Sequence, residues 1–284
     1  MDRLTTLLRH FNPEIENVHY YQLDAHECAE RSSSPAADIY ILTRGSLLVT
    51  LESGESKQLT DQGLFWLPSG KEHRVEAADT STEYIHGMLQ FGSANLNPLI
   101  DSLGHIISLK SEEITTQEMQ PVIAMITSES RSPRCGKALI LNHLMEVLLV
   151  KLLRFLMSTM VFGTGLMGGL SDPRLSRSLT AMHDSPETPW TVKSLAQEAG
   201  MSRTAFSIYF REVVHYPPME YLGLWRMRLA SDWLSSGTES IAQIGEKLGY
   251  GNEAAFRRAF RKIVGCPPGK LRKKVVGEVV ESLV

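Results

Sequence analysis

Residues 190–270 repeat themselves, and the repeat constrains the chain more than any other feature. Val192, Leu195 and Ala199-Gly200-Met201 correspond to Ile241, Ile244 and Leu248-Gly249-Tyr250 at an offset of 49. After one inserted residue the offset is 50: Phe206 and Phe210 match Phe256 and Phe260, and Pro217-Pro218 match Pro267-Pro268. Each copy reads as a helix, a glycine turn, a polar cap and a second helix with aromatics at i and i+4. The glycine permits a sharp turn and the apolar positions lock two helices at a steep angle, which is the layout of a helix-turn-helix. Ser202 and Asn252 read as N-caps. Phe206 and Phe210 bury one face of the helix over Ser202–Arg211, which leaves Arg203, Thr204, Ser207, Ile208 and Arg211 to project elsewhere. In the second copy Glu253, Ala254, Arg257, Arg258 and Arg261 are left. A helix presented this way fits a major groove, where Arg pairs with guanine, and its free N-terminal amides suit a phosphate. A helical scaffold with exposed arginines is the competing reading, and two copies at matched spacing argue against it.

The charge is divided in the same sense. Residues 1–170 carry a net of −7 and residues 171–284 a net of +4, and Gly251 to Lys274 holds eight basic residues against the single acid Glu253. One half suits a polyanion and the other does something else. A length of 284 residues implies two domains. Three scattered cysteines, Cys28, Cys135 and Cys266, argue against a disulfide framework or a thiolate zinc knuckle. The opening residues lack the pattern of a signal peptide, so a protein of a reducing compartment is expected.

From about Tyr20 to Gln90 the pattern alternates on a short period. Asp38–Thr43, Ser46–Leu51, Gly63–Leu67 and Tyr84–Met88 read as strands punctuated by Arg44-Gly45, Ser53-Gly54 and Ser69-Gly70, which implies a sandwich or small barrel. Thr115 to Glu129 and Lys137 to Met157 have helical length. The second is apolar on most faces, yet His143, Glu146, Lys151 and Arg154 interrupt it too often for a membrane span. Such a helix needs cover on two sides, one from the strand domain and the other from a second copy of the chain, the competing reading being a wholly intramolecular core helix. Gly163 to Gly169 reads as an interdomain linker, and Asp172-Pro173 starts a further helical region.

The segments Trp190-Thr-Val-Lys-Ser-Leu-Ala-Gln-Glu-Ala-Gly-Met-Ser-Arg-Thr-Ala-Phe206 and Ile241-Ala-Gln-Ile-Gly-Glu-Lys-Leu-Gly-Tyr250, the latter followed by Phe256-Arg-Arg-Ala-Phe-Arg261, resemble the AraC/XylS family of bacterial transcription regulators. The resemblance spans about residues 172–274. It implies two helix-turn-helix units joined by a long helix, about Met219 to Ser235, with base contacts from Thr204, Ser207 and Ile208 in the first recognition helix and from Glu253, Ala254, Arg257 and Arg258 in the second. Departures are Ala254 where the family often has a polar residue, Leu271 for an aromatic, and Gly251-Asn252 for an acid–Ser pair. They leave the DNA sequence that is read open.

The strand region is similar to that family's cupin-like sensor domain, through Gly63-Leu-Phe-Trp-Leu-Pro-Ser-Gly-Lys-Glu-His73. The segment expected to carry the remaining metal ligands reads Ala36-Ala-Asp-Ile-Tyr-Ile-Leu-Thr43 instead, so a metal-dependent cupin enzyme is not expected. A nonstandard metal or redox site from His26, Cys28, His73 and His86 is the alternative. The default is a small organic effector in the barrel, with Tyr40, Trp66, His73, Tyr84 and His86 as its lining.

The expected fold is α+β and multidomain: a cupin-like β-barrel over 1–114, a helical dimerisation segment over 115–160, a linker over 161–173, an all-α double helix-turn-helix domain over 174–274 and a tail over 275–284. The expected function is sequence-specific binding of double-stranded promoter or operator DNA under effector control, without catalysis or a cofactor. The implied partners are a second copy, RNA polymerase and an effector, with no membrane, and the implied place is the bacterial cytoplasm and its nucleoid. A cupin enzyme fused to a DNA-binding module and a regulator driven by a protein partner are the competing readings.

Overall fold

The structure is a computed structural model. It describes residues 3–78, 81–91, 98–101, 103–116, 119–159, 164–237 and 239–272. The expected tail over 275–284 lies outside the described residues. The described residues form two compact units, one falling within 12–94 and 100–161, the other within 1–11, 95–99 and 162–284.

The chain begins with helix α1 (Arg3–Phe11) and then runs through eight strands: β1 (Pro13–Leu23), β2 (Cys28–Arg31), β3 (Ala37–Arg44), β4 (Ser46–Leu51), β5 (Ser56–Thr60), β6 (Gly63–Leu67), β7 (His73–Ala77) and β8 (Thr82–Phe91). Helix α2 (Pro98–Asp101), strand β9 (Ile107–Lys110) and helices α3 (Ser111–Thr116), α4 (Gln120–Ser130) and α5 (Lys137–Ser158) follow. The strands form two antiparallel sheets, ordered β1-β8-β3-β6-β9 and β2-β7-β4-β5. The expected strands all form, β8 extending well beyond Tyr84–Met88.

Side-chain alternation decides what fills the space between the sheets. Along β3, Tyr40 and Leu42 point inward; from the facing sheet come Leu47, Val49 and Val75, and Phe65, Leu67 and Tyr84 complete one buried cluster. The other face of β3 points outward, and Gly87 pairs there with Ile39. A Cβ at Gly87 would lie 2.9 Å from the Met145 methyl, so the missing side chain lets α5 approach the sheet. Helix α5 packs on β1 and α4, burying Leu141, Met145, Leu148, Leu149, Leu152 and Leu156. Its opposite face leaves Leu139, Ile140 and Val147 exposed. Among the described residues no helix is long and apolar enough to cross a membrane.

The second unit contains α6 (Gly165–Ser171), α7 (Leu175–Asp184), α8 (Val192–Glu198), α9 (Arg203–Val214), α10 (Pro218–Ser236), α11 (Ile241–Lys247) and α12 (Glu253–Val264). Two expectations are corrected here. The glycine-rich stretch is no linker over Gly165–Gly169: it is the buried helix α6. A Cβ at Gly169 would meet Leu179 at 2.7 Å and Val214 at 2.9 Å, so the glycine serves close packing rather than freedom. Nor does the strand unit include α1, which groups with the C-terminal one. Its Leu4, Leu7 and Phe11 are buried, Phe11 meets Trp225 edge-on at 5.7 Å, and Arg3 donates to the Leu170 carbonyl at 2.7 Å. Arg228, fully buried, places its guanidinium 3.8 Å from the Phe11 ring centre and 3.6 Å from Asp232. Burial pulls its pKa down to about 10, which leaves it charged at neutral pH.

Candidate nucleic-acid interface and sensor site

The two helix-turn-helix copies are built alike. Thr191 and Ser240 open α8 and α11 with reciprocal capping boxes to Ser194 and Gln243. The turns pass through Gly200 and Gly249, both at positive φ (+66° and +77°), a conformation that glycine adopts without strain. Ser202 then accepts from the Ala205 amide at 3.3 Å and Asn252 from the Ala255 amide at 2.8 Å, capping α9 and α12 as expected. Phe206 and Phe210 (centroids 5.4 Å apart) and Phe256 and Phe260 (5.8 Å) are fully buried.

The other face of each reader helix is open. Arg203, Thr204, Ile208 and Arg211 are exposed on α9, with Ser207 half-buried; Glu253, Ala254, Arg257, Arg258 and Arg261 are exposed on α12. Arg257 bonds Glu253 at 2.6 Å one turn back, whereas no carboxylate lies within ion-pair reach of Arg258 among the described residues. The face of α12 therefore offers one guanidinium free for a base edge and one held by its neighbour.

The N-terminal unit holds a buried polar cluster among apolar walls. His86, at the β3–β8 pairing opposite Tyr40, lies 2.7 Å from the Asp38 carboxylate through Nε2, and Arg31 Nη2 lies 2.6 Å from its Nδ1. Arg31 Nη2 also lies 2.9 Å from Nε2, and burial holds the pKa of His86 below the usual imidazole value. His73 donates from Nδ1 to the Lys71 carbonyl and accepts the Tyr40 hydroxyl at Nε2, each at 2.7 Å. Burial raises the Tyr40 phenol far above its ordinary range, and pushes Tyr84 up to about 12.

Tyr40, His73, Tyr84 and His86 are thus brought together between the sheets. Trp66 is not: it pairs with Ile39 on the outward face and lies 6.3 Å from the Phe91 ring centre. The expected convergence of His26, Cys28, His73 and His86 does not occur. His26 and Cys28 are exposed, Cys28 pairing with Glu76 on the outer face of its sheet, while the nitrogens of both buried imidazoles already have partners. Among the described residues no group of three or more His, Cys, Asp or Glu could hold a metal ion.

Comparison with known proteins agrees with this division. A family model described as a helix-turn-helix domain matches residues 195–274, and one described as a cupin matches residues 2–158, more than half of the chain. A putative AraC-like transcription regulator of Streptomyces lividans is 30% identical over 253 residues, covering 89% of this chain and 83% of that one. The chain belongs to the AraC-type transcription regulators. It is similar as well to the transcriptional regulator AlkR of Acinetobacter baylyi, 27% identical over 83% of this chain and 87% of that one. The activator RclR of Escherichia coli, named as specific for RCS, is 27% identical over 83% and 84%. The fold is accordingly an N-terminal cupin-like β domain and a C-terminal helical one, and the chain is a DNA-binding transcription regulator.

Several residues that shape this AraC-type regulator escape local sequence reasoning. Arg226 on α10 donates to the carbonyls of Pro186 at 2.6 Å and Thr188 at 2.9 Å and lies over the Tyr250 ring, tying the loop before the first unit to the turn of the second. Asp172 accepts the Tyr209 hydroxyl at 2.7 Å; burial works against its charge, but that bond and the amides of Leu175 and Arg174 hold its pKa below the usual carboxylate value. Arg31 and Asp38 frame His86. The period-2 alternation that placed Tyr40 inside also places Asp38 there, so Asp38 had a signal and Arg31 had none.

Proposed function

We propose that the protein acts as a homodimer on a two-part operator, each chain reading successive major grooves with α9 and α12 under control of a small molecule bound by the N-terminal unit. The matched pair of capped helices, each with an aromatic-anchored back and an exposed polar front, carries this reading. Arg258 reads a base edge beside Arg257, which Glu253 holds back, and Ile208 is suited to a thymine methyl group. Arg203, Arg211, Arg261 and Lys262 meet phosphates, with Ser202 and Asn252 at the helix starts nearest the backbone. Thr204, Ser207, Glu253 and Ala254 set the fit around them.

Dimerisation runs through the exposed face of α5, where Leu139, Ile140, His143 and Val147 recur at helical spacing. Bound to a promoter, the dimer contacts RNA polymerase and activates transcription in the bacterial cytoplasm, at the nucleoid, without catalysing a reaction. Selection of binding sites from random duplexes by the full chain tests this directly. Two half-sites about one helical turn apart are expected, and a Val147→Glu chain should sediment as a monomer and lose most operator affinity. Recovery of unselected DNA, or an unchanged dimer, would refute the respective halves of the reading.

A further inference from the structure

The interior that family resemblance assigns to a ligand is occupied. Leu47, Val49, Phe65, Leu67 and Val75 pack there with Tyr40 and Tyr84, every one of them nearly inaccessible. The N-terminal unit carries a different hollow, of about 440 Å³, between the adjoining ends of β3 and β6 and the helices α3 and α4. That is within the range of pockets that take small organic ligands.

Its chemistry is specific. Leu42, Ile114, Ile123 and Ala124 give it an apolar floor, and Thr43, Thr115 and Thr127 give it hydroxyls. Each of these threonines spends its one O–H on a backbone carbonyl: Thr43 on Glu83 at 2.9 Å, Thr115 on Ser111 at 2.9 Å, Thr127 on Ile123 at 2.8 Å. What the threonines offer a guest is therefore lone pairs, which suit hydroxyl or N–H groups on the ligand, while the Gln62 and Gln120 amides in the same lining can donate as well as accept. The one charge in the lining is Arg131. Its guanidinium is bonded to Glu83 and lies 5.0 Å from the Tyr20 ring centre, so a carboxylate already offsets its charge and the hollow favours neither sign of ligand charge.

We propose that this hollow, and not the barrel interior, holds the effector, an uncharged small molecule with hydroxyl or N–H groups on an apolar frame. The proposal rests on the effector-controlled reading above. Helix α4 forms one wall of the hollow and packs along α5, so a guest lies one helix away from the face assigned to dimerisation.

The test titrates the full chain with benzyl alcohol, which pairs one hydroxyl with an apolar ring, and follows backbone amides by NMR alongside affinity for the selected operator. Saturable shifts at Thr115, Ala124 and Thr127 are expected, with a change in operator affinity. Ala124→Trp should abolish both by filling the hollow. Thr127→Val keeps the shape and loses the accepting oxygen, so benzyl alcohol should bind about fivefold more weakly, the equivalent of one neutral hydrogen bond; it preserves the test should the tryptophan variant misfold. Shifts centred on Tyr40, Tyr84 and His86, no saturable shift in the hollow, or binding there that leaves operator affinity untouched would each overturn the proposal. None of these outcomes bears on operator selectivity without the probe, whose absence would instead refute the regulator reading.

Discussion

A Cβ on Gly249 would lie 2.2 Å from the carbonyl oxygen of Glu187. The glycine ends the first helix of the second helix-turn-helix, whereas the carbonyl belongs to the loop that precedes the first. With the Arg226 bonds to Pro186 and Thr188 on the same loop, this contact sets the two readers in one register. Gly249→Ala meets the clash and a positive φ together, and each effect costs on the order of 1–3 kcal/mol. Denaturant unfolding of the full chain should show the C-terminal transition destabilised by about 2–4 kcal/mol; a loss below about 1 kcal/mol would mean that the loop simply moves aside.

Arg258 and Arg261 separate recognition from attraction. Arg258→Ala should cost about 1–3 kcal/mol at the selected operator and relax specificity at one base pair. Arg261→Ala should weaken all duplexes alike and lower the salt slope by about 1. Anisotropy titrations at several salt concentrations decide the matter, and equal losses on specific and random DNA for Arg258→Ala would remove it from the base readers.

Glu253 holds Arg257 at 2.6 Å. Glu253→Ala releases that guanidinium toward the phosphates, so affinity for random DNA should rise and its salt slope steepen by about 1. An unchanged slope would show that Arg257 stays off the DNA even when released.

Phe11 ties the first helix to the C-terminal unit through Trp225 and Arg228. Phe11→Ala should destabilise that unit by about 3–5 kcal/mol, as for other buried phenylalanines. The tryptophan fluorescence of the unfolding transition reports it, and near-identical curves for variant and parent would show that α1 adds nothing to the unit.

His86 is neutral in the fold because burial lowers its pKa. In the unfolded chain it titrates near pH 6.5, so as the pH falls through that value the unfolded state takes up the proton first. Stability of the N-terminal unit should therefore decline as pH drops from about 7 toward 5. His86→Gln should flatten this dependence, and an equally steep melting-temperature profile in that variant would assign the effect elsewhere.

Local pattern carried much of this architecture. Strands β3, β4, β6 and β8 and both reader helices follow directly from alternation, turn residues and the repeat, whereas the long helix α10 follows from the family resemblance. Departures arise where tertiary packing overrides local signals. Gly165–Gly169 has a linker's composition, and only Leu179 and Val214, far along the chain, make it a helix. Strand β1 begins well before Tyr20, but a register break between Glu16 and His19 interrupts its alternation. One helix expected over Thr115 to Glu129 is two, because Met119 does not continue α3 and Pro121 starts α4 anew. At the polar cluster Arg31 and His86 stand 55 residues apart, and no short-range pattern names such a pair.

Because α1 groups with the C-terminal unit while its chain continues into β1, the sequence of the strand unit is an insertion within that of the DNA-binding unit and not a simple N-terminal extension of it. A protease that nicks the backbone between Ser158 and Thr164 would leave two fragments that still co-purify, held together by Leu4, Leu7 and Phe11 in their sockets. A reader released from that point on, without its first eleven residues, would instead carry an uncovered apolar scar around Trp225, and would clump where the nicked pair stays in solution.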